Sequence, residues 1–166
     1  MKAKLRIPAL LAAAALWAAG ADFGALKPQG YVSDFARVID AGTKAELNAY
    51  CAQVEKATGA QIALVTLPHL AGEPIEDVAN LLYRKWGVGN KQSNEGALVL
   101  LSIGDRRSRL EVGYGLEPLI PDGYAGSLLR EMRPALRERN YGAALGEAAR
   151  ALGQRVAESK GVKIGQ

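Results

Sequence analysis

One cysteine and one histidine among 166 residues leave little room for thiol, imidazole or zinc chemistry. The lone Cys51 has no partner for an intramolecular disulfide, so stability in an oxidising compartment must come from packing. One His and one Cys cannot complete a tetrahedral zinc site. A Ser-His-Asp hydrolase would have to use His69 beside Pro68, yet the chain has neither a Gly-x-Ser-x-Gly elbow nor a cysteine-based counterpart. A cysteine phosphatase needs an arginine six residues after its nucleophile, where Cys51 is followed by Ala57, and a histidine phosphatase needs an Arg-His pair, which is absent. Gly113-x-Gly115 lacks the third glycine of a dinucleotide-binding turn and reads as loop geometry. Neither an internal repeat nor a low-complexity tract is visible.

Long apolar runs are also missing. The stretch from Ile7 to Ala19 is Ala-rich and falls short of the roughly 20 residues a membrane span needs. Preceded by Lys2, Lys4 and Arg6 and followed by Ala19-Gly20-Ala21, it has the three parts of a secretory signal peptide, with cleavage expected after Ala21; retention as an anchor is the alternative. Cleavage removes three basic residues and no acidic one, so 21 basic residues fall to 18 against 17 acidic ones, a net charge of +1. The basic balance therefore belongs to the leader, and no nucleic-acid partner is expected. The expected location is periplasmic or secreted, with no permanent membrane span after cleavage.

The 145 residues that remain suit one domain with a real core. Residues 22–30, with Gly24, Pro28 and Gly30, read as a linker, residues 31–160 as the domain and residues 161–166 as a tail. Tyr31 to Ile39 reads as extended or partly turned, and Thr43-Lys44-Ala45-Glu46 has capping-box spacing ahead of a helix. Leu47, Tyr50, Cys51, Val54 and Ala57 give that helix its apolar stripe, so Cys51 is expected to be buried and inert. Gln61–Leu67 and Ala97–Ile103 are nearly continuous apolar runs, as in strands covered on both faces. Between them Ile75, Val78, Ala79, Leu82 and Trp86 stripe a second helix that begins at Pro74. Gly104–Ser108 reads as a hairpin turn, and Arg109–Gly113 alternates as an antiparallel, edge-like return. The remainder is helical, bent or split by Pro134, and the charges from Arg130 to Arg139 interleave as on a solvated face. The class is α/β, a three-layer α/β/α sandwich with a central mixed, mostly parallel sheet ending in an antiparallel hairpin.

Oxygen chemistry is what the composition leaves. Asp34, Asn94, Glu95, Glu117 and Asp122 fall in loops or at element ends, where oxygens can converge on a hard cation such as calcium. If the strand from Ala97 runs up the sheet, Asn94 and Glu95 lie at its lower end and Asp105 at its upper end. The antiparallel return then brings Glu117 and Asp122 down again, and Asp34 joins them if Tyr31 to Ile39 climbs towards the first helix. Each residue also has a structural reading: Asp122 as a helix cap, Glu117 as a solvated loop charge, Asp34 as an Asx-turn and Asp105 as a turn residue.

The segments Val32-Ser33-Asp34-Phe35-Ala36-Arg37-Val38-Ile39, Asn94-Glu95-Gly96-Ala97-Leu98-Val99-Leu100-Leu101 and above all Glu111-Val112-Gly113-Tyr114-Gly115-Leu116-Glu117, followed by Asp122, resemble the TPM domain. The resemblance extends over about Gly30 to Gly153. It implies a three-layer domain on the non-cytoplasmic side of a membrane, calcium binding with Asp34, Glu117 and Asp122 as metal positions, weak acid phosphatase activity, or upkeep of membrane protein complexes. Relatives often have Leu-Thr-Asp where this chain has Ile120-Pro121-Asp122. The expected function is a calcium-binding interaction or maintenance module with an envelope or membrane protein partner and no organic cofactor. Asn94, Glu95, Gly113, Tyr114 and Gly115 would flank the site, the glycines allowing close backbone approach. The alternative is a metal-assisted phosphomonoester hydrolase using Glu111 or Asp105 as acid or base, and a third reading is a metal-free partner protein with Tyr114 and Tyr124 as contacts.

The leader is directly testable: the intact mass of the exported protein is expected to match a chain beginning at Asp22, and a mass retaining residues 1–21 would refute cleavage.

Overall fold

The computed structural model describes residues 21–165, so the signal-peptide reading lies outside the described residues. Four strands form one sheet in the order β1 (Val32–Asp34), β2 (Gln61–Leu67), β3 (Gly96–Ser102), β4 (Arg107–Val112). The first three are parallel, and β4 returns antiparallel to β3. All seven residues of β3 and six of the seven in β2 are buried, as their nearly continuous apolar sequences require.

Alternation along the strands sorts the core into two clusters. Ile62, Leu64, Ala97, Val99, Leu101 and Leu110 face one side, where α1 (Ala41–Thr58), α3 (Asp122–Glu131), α4 (Arg133–Arg137) and α5 (Tyr141–Lys160) cover them. Ala63, Val65, Leu67, Leu98 and Leu100 face the other, against α2 (Ile75–Lys85). Helices on both faces of a mixed sheet give the expected α/β/α sandwich. Cys51 lies within the first cluster, and burial pushes its thiol up to about 12, so it is a packed side chain and not a nucleophile. At the edge, Glu111 and Arg109 pair with Leu98 and Leu100 across β3 and sit on the α2 side.

Local chemistry departs from expectation in two places. The cap of α1 is Asp40, which accepts hydrogen bonds from the Thr43 N–H at 2.9 Å and the Thr43 hydroxyl at 2.7 Å; the helix therefore starts before the Thr43–Glu46 box. Those same bonds hold the Asp40 carboxyl below its ordinary value. Pro134 does split the helical region, leaving α4 as a five-residue helix between α3 and α5.

The second departure is the segment read as a linker. Phe23 is only 4% exposed and belongs to the cluster under α2, in a 3-10 turn over Phe23–Ala25. Three residues on, the Leu26 carbonyl accepts the indole N–H of Trp86 at 2.9 Å. An isolated aromatic among small residues has no periodicity to announce it, so its burial depends on the cavity that α2 and the sheet leave open.

Phe23→Ala is expected to lower the unfolding free energy by about 3 kcal/mol, as for other buried aromatics. A free tether would lose no more than about 0.5 kcal/mol. Denaturant melts of the two proteins decide between them.

Candidate functional site

The amino-terminal end of β3 and the end of β4 meet in two interlocked loops. Asn94 takes a left-handed conformation, φ 51°, and its carbonyl accepts the Gly115 N–H at 3.1 Å while the Gly113 N–H donates to the Gly96 carbonyl at 2.8 Å. The side-chain oxygen of Asn94 accepts the Tyr83 hydroxyl at 2.9 Å. Burial and the Glu111 carboxylate push that hydroxyl up to about 12, so it stays a donor across the physiological range.

Glycine is required on the β4 side. A Cβ on Gly113 would lie 2.1 Å from the Tyr83 hydroxyl and 2.3 Å from the Asn94 carbonyl oxygen. One on Gly115 would meet the Ser93 carbonyl oxygen at 2.2 Å. These contacts are far inside van der Waals distance, so any side chain would force the loops apart. Tyr114, between two pinned glycines, stands out into solvent at 78% exposure.

Glu95 is tied to the same end. Its carboxylate pairs with the Lys160 ammonium at 2.8 Å, and Lys160 also donates to the Thr58 carbonyl at 2.7 Å, joining the ends of α1 and α5 to the loop. After Gly115 the chain makes tight turns, with Leu116 and Ile120 buried and Glu117 exposed between them. Arg155 braces these turns: its guanidinium donates to the Leu119 carbonyl and lies 4.0 Å from the Tyr124 ring. Tyr124 is therefore partly covered, unlike Tyr114. Asp122 opens α3 with an exposed side chain in its first turn, and Pro121 provides no side-chain cap. Among the described residues the Glu117 and Asp122 carboxylates have no hydrogen-bond or ion-pair partner.

Asp34 is elsewhere. It ends β1, and the parallel pairing Asp34↔Thr66 sets it at the carboxyl end of the sheet, opposite the loops that carry Glu117 and Asp122. The residue is 7% exposed, and its carboxylate accepts the Val38 N–H at 3.1 Å, the Ile39 N–H at 3.0 Å and the Thr66 hydroxyl at 2.6 Å. Those bonds close the turn between β1 and α1. The convergence of Asp34 with Glu117 and Asp122 at one end is thus corrected: β1 climbs as supposed, but the climb carries Asp34 away from the others. Among the described residues no three His, Cys, Asp or Glu side chains group as a metal centre.

The two carboxylates considered for acid–base work are also committed. Asp105 accepts the Leu70 N–H at 2.8 Å and the Ser102 hydroxyl at 2.6 Å, bonds that hold its carboxyl below the ordinary value. Glu111 accepts from the Asn80 amide at 3.1 Å and lies 3.5 Å from Arg109. Sequence reasoning missed Tyr83, Lys160 and Arg155 as the supports of the loop end, since each acts across the fold and leaves no local pattern.

Comparison with known proteins fits this geometry. The TPM domain matches residues 32–155. The N-terminal domain of a P. gingivalis protein, solved in solution, is 32% identical, with a TM-score of 0.73 over 82% of this chain and 87% of that one. The N-terminal domain of a Corynebacterium glutamicum protein shares the fold at 18% identity and TM-score 0.59, over 79% of this chain and 80% of that one. So does a protein of the psychrophilic bacterium Bizionia argentinensis, at 15% identity and TM-score 0.63, over 72% and 82%. No curated protein matches the sequence. With a sandwich of this topology and a family match from β1 to within the last helix, the chain belongs to the TPM domain family.

Proposed function

We propose that this protein is an exported binding module whose loop end takes a calcium ion together with a protein partner of the cell envelope. The observation that carries the reading is a pair of exposed, unpartnered carboxylates, Glu117 and Asp122, beside a loop that glycine contacts hold rigid and that presents Tyr114. Calcium needs about six to eight oxygen ligands. Glu117, Asp122 and nearby loop oxygens supply only part of that shell, and Asn94 offers one amide oxygen that already accepts from Tyr83. An incomplete shell favours weak binding and leaves positions for water or for the oxygens of a partner. The protruding Tyr114 supplies the apolar and hydrogen-bonding contact that interface hot spots commonly use. Asp34 is left out of the ligand set, because its carboxylate is spent on the β1–α1 turn.

Metal-assisted phosphomonoester hydrolysis is the second reading, and no observation favours it. A catalytic acid or base must reach the metal-held water, and Glu111 and Asp105 are both engaged with their own neighbours.

Calorimetric titration is expected to give a calcium dissociation constant of about 10⁻⁴–10⁻³ M, the range of extracellular modules. Calcium at ten times that constant stabilises the native state by about 1.4 kcal/mol through linkage, a rise of a few degrees in melting temperature. Glu117→Gln with Asp122→Asn should abolish the rise without changing the calcium-free melting point. Asp34→Ala should instead destabilise the native state by about 1–3 kcal/mol for orphaned buried donors, lowering that melting point, and keep the calcium response. A wild-type melting point that does not move in millimolar calcium, or a response that depends on Asp34 and not on Glu117, would overturn the proposal.

A further inference from the structure

The carboxyl end of the sheet holds a cavity of about 760 Å³ on the side covered by α4 and α5. Among the described residues five arginines, all exposed, line it and no acidic residue does: Arg106 and Arg107 from the β3–β4 hairpin, Arg133 and Arg137 from α4, and Arg139 just beyond. Arg133 and Arg137 are four apart and so share a face of α4. None of the five is in an ion pair among the described residues, where the only two such pairs use Arg109 and Lys160. The acids next in sequence offset the cluster only in part. Asp105 feels Arg107 but is bonded to Leu70 and Ser102, while Glu138 is exposed and outside the lining.

Like charges repel, and although solvent screens these five exposed guanidiniums and keeps the cost small, an anion placed among them would relieve it. Two of the five carry a second cost. Arg106 and Arg139 take left-handed backbone conformations, φ 52° and 56°, where glycine would be unstrained. The floor is different in kind: Leu101, Ile103 and Leu136 make it apolar, with Tyr141 beside them. The size falls within the range of small-molecule sites and exceeds what a bare inorganic anion fills.

We infer that this cavity is a binding site for a phosphate-bearing organic anion, its phosphoryl group held by the arginines and its apolar part lying over Leu136 and Tyr141. Guanidinium is always charged and matches phosphate oxygens with paired N–H groups. Several guanidiniums suit a dianionic or bridging phosphate better than a single carboxylate. The apolar floor suits an ester with a hydrocarbon or ring body, whether a soluble organic phosphate or the headgroup region of an anionic phospholipid. The site is at the end of the sheet opposite Glu117 and Asp122, and it stands whether or not those residues hold calcium.

Phenylphosphonate, a phosphate mimic that cannot be hydrolysed at an ester bond, serves as the soluble probe in calcium-free, low-salt buffer. Vesicles of phosphatidylcholine with and without phosphatidylglycerol serve as the lipid probe. Arg133→Gln with Arg137→Gln is expected to weaken binding by at least about tenfold, the loss of a hydrogen bond to a charged group. Arg106→Gly and Arg139→Gly each give a sharper reading: both should raise the melting temperature by relieving the backbone, yet bind about tenfold more weakly. A purely structural arginine would not separate those two effects. Phenylphosphonate binding without preference for phosphatidylglycerol vesicles assigns a soluble ligand; vesicle binding lost in the same variants assigns a lipid headgroup, and either supports the site. Failure of both probes to bind, binding that the arginine variants leave unchanged, or binding of polyglutamate in preference to either phosphorus probe overturns it.

Discussion

β3 is hydrogen-bonded on both sides and buried at every residue, so its backbone polar groups have no partner except the neighbouring strands. An unmet backbone group there would cost free energy comparable to several of the contacts around it. That requirement fixes β2 in parallel register on one side and β4 in antiparallel register on the other. It also fixes what lies at each end. The antiparallel return delivers Gly113 and Gly115 against Asn94, and the hairpin delivers Arg106 and Arg107 next to α4. Both proposed sites follow from the way one strand satisfies its hydrogen bonds.

The two central strands could be read from sequence because nearly continuous apolar runs of seven residues admit few other interpretations. The same holds for α2, whose stripe of Ile75, Val78, Ala79 and Leu82 is buried as expected, while Trp86, its last expected member, is partly buried just past the helix end. Asp34 was harder to place. β1 has only three residues, too short for a period to show where strand stops and turn begins, and the position of its carboxylate depends on that boundary. Asp40 and Thr43 illustrate a related ambiguity, since each residue type caps helices and only the hydrogen bond shows which one does. The arginine cavity left no signal at all. Arg133, Arg137 and Arg139 alternate with Glu138 in the way of a solvated face, and their meeting with Arg106 and Arg107 is a product of tertiary folding.

Among the described residues the sheet is open at both edges, and each edge is handled differently. β1 is short enough to offer few free backbone groups. β4 is longer and puts Arg107, Arg109 and Glu111 at alternate positions, charges that a second strand would have to desolvate in order to pair. Glu111 has a further role, since its bond from Asn80 ties β4 to α2. Charge on the edge strand thus guards against unwanted pairing and secures the layer beneath it.

The length of β3 sets a distance. Seven residues at strand spacing separate the glycine loops from the arginine cavity by about 20 Å. That is more than twice the screening length of about 8 Å in physiological salt. A charge gained or lost at one end is therefore almost unfelt at the other, and only a molecule as long as the domain is thick could grip both at once.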